Sequence, residues 1–136
     1  GKVMWDKVGM ARNATGLYEA IAEMKAIKIA FWKDVFVPGT NESFNQELEK
    51  AGRVADFIEL GILFAQDALD RNESCGGHFR EESVELEGEQ KGEAKRNDKD
   101  YAYVSAWEFK GDDQEPTLHK EALEFNDIEL KQRSYK

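Results

Sequence analysis

Residues 44–71 read FNQELEKAGRVADFIELGILFAQDALDR. Apolar residues recur there at spacings of three and four, the period of an α-helix. Leu48, Ala51, Ala55, Ile58, Ile62, Ala65 and Leu69 make one stripe, and Val54, Phe57, Leu60, Phe64 and Ala68 make a second beside it. The pattern predicts a helix from about Phe44 to Arg71. A helix with two apolar stripes lies between neighbours. Either the first helix and the C-terminal segment cover both stripes, or another domain or subunit covers what is left.

Two more helical stretches precede it. Leu17, Ile21, Met24, Ile27 and Phe31 share one face of a helix over 14–33, with Thr15 as its expected N-cap. Val3, Val8 and Met10-Ala11 suggest a shorter helix over 2–12. Pro38 and Gly39 break the chain before the long helix, Val35 and Val37 suit a short extended piece, and Asn41 or Ser43 can cap the long helix. After it, residues 83–100 are polar and aperiodic, which reads as a solvated loop. Tyr101, Tyr103, Ser105 and Trp107 alternate with Ala102, Val104, Ala106 and Glu108, a strand pattern. GDDQEP makes a turn, and further strands are expected over 117–125 and 127–135. The expected fold is mostly α: a three-helix up-down bundle over 1–82, a polar loop over 83–100 and a small β-rich tail over 101–136, all one domain.

Composition narrows the function. The net charge is −9 in 136 residues. Phosphate binding needs clustered Lys and Arg, so a nucleic-acid partner is not expected. No apolar run reaches the roughly 20 residues that span a bilayer, and no signal peptide opens the chain. The single cysteine rules out an internal disulfide and suits a reducing compartment. The chain opens on Gly1 with helical character at once, which reads as a fragment of something larger.

The chemistry concentrates at 71–82, RNESCGGHFREE. Cys75 and His78 have a spacing that can chelate zinc, but zinc takes three or four protein ligands and only His119 remains among the soft ones. Thiol catalysis needs a base and an orienting group. His78 and Glu73 have those side chains, yet no oxyanion hole or pocket can be named. Neither G-x-G-x-x-G after a strand nor G-x-x-x-x-G-K-[ST] occurs. Gly76-Gly77 follows a helix and reads as its C-cap. The dense Arg, Glu and His residues suit either a solvated helix end or a buried, hydrogen-bonded junction between packed units.

RNESCGGHFREE resembles the R-x-E-S-x-G-x-H-x-R-x-[DE] segment of the succinate dehydrogenase and fumarate reductase flavoprotein subunit. VGMARNATGLYEAI, NQELEKAGRVADFIELGILFAQDAL, AKRNDKDYAYVSAWEF and the closing QRSYK resemble the flanking parts of that family's C-terminal domain. Many members have Arg where this chain has Cys75, and a small residue such as Ala where it has Gly77, which discounts Cys75 as a functional residue. The resemblance implies a helical domain packed on a flavin domain that binds FAD covalently through a histidine outside this chain. It implies no cofactor, metal or catalytic residue in this chain, and Arg71, Glu73, Ser74, Gly76, His78 and Arg80 at a domain junction. The parent enzyme would interconvert succinate and fumarate and pass electrons from FAD to an iron-sulfur subunit and then to quinone, on the cytoplasmic face of the inner membrane. An L-aspartate oxidase-like flavoprotein shares the arrangement. A free-standing helical module, binding a partner helix through the second stripe, is the reading from another class.

Overall fold

Asn13 starts the first long helix. Its backbone is extended, and its side-chain oxygen accepts the Gly16 N–H at 2.8 Å. The cap is therefore Asn13 and not Thr15, which already lies inside the helix. A computed structural model describes residues 1–40, 43–112 and 114–131. In it α1 spans Lys2–Lys7, α2 Ala14–Asp34 and α3 Gln46–Asp70. Asn45 caps α3 by accepting the N–H groups of Glu47 and Leu48. Ser43 precedes that cap, and Asn41 lies outside the described residues. α1 stops five residues short of the expected end. Val8 and Gly9 leave the helix, and Arg12 Nε donates to both their carbonyl oxygens.

Residues Gly1–Asp70 and Arg71–Lys136 form two compact units. In the first, α2 and α3 run antiparallel. Met24 meets α3 at Gly61, and Lys28, one turn later, pairs with Glu59, earlier in α3. Val8, Leu17, Ala20, Met24, Ala65 and Ala68 make the core. Gly61 sits where α3 passes closest to its neighbours. A Cβ there would come within 3.2 Å of the Met24 sulfur and 3.3 Å of the Met4 sulfur, so the helices approach as they do because that position is bare. Of the two α3 stripes, the first faces inward through Ala65, with Ala51, Ala55, Ile58, Ile62 and Leu69 half-buried. The second turns inward only at Ala68; Val54, Phe57, Leu60 and Phe64 are exposed. On α2, Ile27 is exposed as well.

The second unit carries α4, Asp98–Tyr101, and two strands, β1 over Tyr103–Glu108 and β2 over Thr117–Ala122. They pair antiparallel, with Tyr103 opposite Ala122 and Glu108 opposite Thr117. Tyr103, Ser105 and Trp107 occupy the half-buried face, as the alternation required. The expected third strand is not formed over 127–131, and residues 132–136, with the QRSYK ending, lie outside the described residues. Ile128 and Leu130 alternate correctly, but period-2 alternation alone does not supply a strand to pair with. The unit boundary also differs from the division expected at residue 82. Residues 71–82 bond to 95–103, so they group with the C-terminal unit. Within 83–100, read as loop, Val84 and Ala94 form an antiparallel bridge and α4 begins at Asp98.

At the open end of the sheet, Glu108 receives Lys110 Nζ at 2.6 Å and contacts His119 Nε2 at 2.7 Å. The Lys110 hydrogen bond, then the His119 one, holds the Glu108 carboxyl below its ordinary pKa. A depressed folded pKa adds stability above the unfolded value, lost as pH falls through the folded one. Glu108 is expected to titrate below the usual carboxylate range in an NMR pH titration. Lys110→Met should move its midpoint upward, and an unmoved midpoint would refute the assignment.

Candidate functional site

Arg71, the first residue after α3, opens a polar cluster. Arg71 Nη1 donates to Glu73 Oε1 at 2.9 Å and to the Tyr101 carbonyl at 3.0 Å, while Nη2 donates to the Tyr103 carbonyl at 3.0 Å. The same guanidinium lies over the Tyr103 ring, 4.8 Å from its centroid, and more loosely over Tyr101. A planar fork suits this use, because it donates in its plane and stacks on its faces. Glu73 is 3% exposed. Its second oxygen accepts the Asn97 N–H at 2.9 Å. Both carboxylate oxygens are thus engaged, which makes burial of this charge tolerable.

Ser74 is fully buried. Its Oγ donates to the Arg80 carbonyl at 3.1 Å and accepts the Arg80 N–H at 2.9 Å. Its own N–H donates to the Lys95 carbonyl. Between these ends Cys75 and His78 exchange two backbone hydrogen bonds, at 2.8 and 3.0 Å. That closes a two-residue turn, and Gly76 takes its φ of 60°, in the left-handed region where glycine is unstrained. The glycine pair therefore makes a hairpin turn, two residues wide, instead of the expected helix cap. His78 Nε2 lies 2.7 Å from the Arg71 carbonyl. A carbonyl only accepts, so Nε2 carries the proton. Arg80, 3% exposed, donates through Nε to Glu82.

All six sequence candidates fall within this one unit. Glu73, Ser74 and Arg80 are buried, Arg71 and His78 half-buried, and Gly76 exposed at the turn. Sequence reasoning missed Asn97, Tyr101 and Tyr103, which contribute backbone groups and ring faces 24 to 32 residues away. Nothing in local spacing marks such partners. Arg96 and Asp98 form an ion pair at 2.6 Å. Its hydrogen bond raises the Arg96 pKa further. An open polar cleft of about 230 Å³ is lined by Asn72, Glu82, Ser83, Lys95, Arg96 and Asn97.

The cluster has little to offer chemistry. His78 spends Nε2 on a backbone carbonyl, so that nitrogen is not a base for Cys75. Among the described residues no three His, Cys, Asp or Glu side chains are grouped to hold a metal. Nor do the described residues fit a flavin. A dinucleotide site needs parallel strands with a glycine-rich turn into a helix N-terminus. Here the two strands are antiparallel, and both follow the helices. The hydrogen bonds instead tie residues 71–74 to the stretch that leads into the sheet. Among the described residues, no helix is long and apolar enough to cross a membrane.

The chain is thus a long antiparallel helix pair followed by a polar-cored unit with a two-stranded antiparallel sheet. The family described as "Fumarate reductase flavoprotein C-term" matches residues 1–135, and the chain belongs to it. Relatives include the fumarate reductase flavoprotein subunits of two Helicobacter pylori strains. Each is 37% identical over 79 residues, covering 58% of this chain and 11% of the relative. An uncharacterized FAD-dependent oxidoreductase of Methanocaldococcus jannaschii is 32% identical over 91 residues, 67% of this chain and 16% of the relative. A chain of E. coli quinol fumarate reductase carrying a mutation superposes with a TM-score of 0.78 at 20% identity, over 97% of this chain and 21% of that one. That likeness establishes the fold. The chain spans about a fifth or less of each of these proteins.

Proposed function

We propose that the protein carrying this domain is the flavoprotein subunit of a succinate dehydrogenase or fumarate reductase, and that it interconverts succinate and fumarate with FAD. The observation that carries this is the match of a fumarate reductase flavoprotein family over residues 1–135. In this reading the domain is structural. It buttresses the flavin-binding domain of the same polypeptide and gives contact surface to an iron-sulfur subunit, which takes electrons from FAD and passes them to quinone. The complex sits on the cytoplasmic face of the inner membrane. Arg71, Glu73, Ser74, Gly76, His78 and Arg80 form the domain junction. Two features favour a structural role over a catalytic one. Glu73, Ser74 and Arg80, the buried polar residues of 71–103, each hydrogen-bond within that stretch, and the strands present do not suit a dinucleotide.

The native polypeptide spanning this chain is expected to purify with FAD and to reduce fumarate with a reduced dye. The 136-residue chain alone is expected to give no heat of binding with FAD or succinate in calorimetric titration. A native polypeptide without flavin, or tight binding of either ligand by the isolated chain, would overturn the reading.

A further inference from the structure

We draw no further inference here: the strongest candidate, the exposed aromatic surface of Trp32, Phe36 and Phe44 where α2 leads into α3, carries nothing because nothing among the described residues shows what covers it.

Discussion

Replacing Glu73 with alanine is expected to destabilise the C-terminal unit by about 3–5 kcal/mol, the range for breaking a buried ion pair from one side. Glu73 is the hub of the cluster, with one oxygen on Arg71 and the other on the Asn97 N–H. Removing it leaves the Arg71 guanidinium beside two tyrosine rings and two carbonyls without its anion, and leaves the Asn97 amide without its acceptor. Glu73→Gln should recover only part of the loss. Its amide has one oxygen and one NH₂, and both groups facing Glu73 are donors. The pair Glu73→Leu with Arg71→Met should cost less than Glu73→Ala, because no charge is then stranded. Urea unfolding followed by hydrogen exchange would locate the effect at residues 72–103. A loss below about 1 kcal/mol, the scale of an exposed pair, would show that the cluster is solvated after all.

The α-helical part of this architecture was legible because helix packing leaves a local record. The spacing of Leu17, Met24, Ala65 and Leu69 is set by one helix repeat, so those residues could be placed before any partner was known. Helix ends were less legible. Thr15 and Asn13 are both good caps, and only the backbone angles distinguish them. The overshoot of α1 past Lys7 has a similar cause: Met10 fits the helical period but is 86% exposed. The candidate site was legible as a list of residues and not as a network. The hydrogen bonds from Arg71 and Glu73 reach backbone groups of Asn97, Tyr101 and Tyr103. A backbone carbonyl or amide carries no sequence signal, since every residue but proline has both. For the same reason the Val84–Ala94 bridge could not be read from a polar, aperiodic stretch.

Leu17→Ala is expected to destabilise the helical unit by about 2–5 kcal/mol, toward the upper end of that range. The cost of such a substitution depends on how far the surroundings can collapse into the space. Leu17 is 0% exposed, and its buried companions are Val8, Ala20, Met24, Ala65 and Ala68. Three of those five are alanines, which have no rotamers to swing inward. The helices are already close where Gly61 meets Met4 and Met24. The cavity should therefore remain. The core is also small, so one lost leucine removes a large share of it. Leu17→Met, nearly equal in volume, should cost less than about 1.5 kcal/mol. Urea denaturation would show a lower midpoint with an unchanged slope for Leu17→Ala, since the surface exposed on unfolding barely changes. A loss below about 2 kcal/mol would mean that the neighbours do collapse into the vacated space.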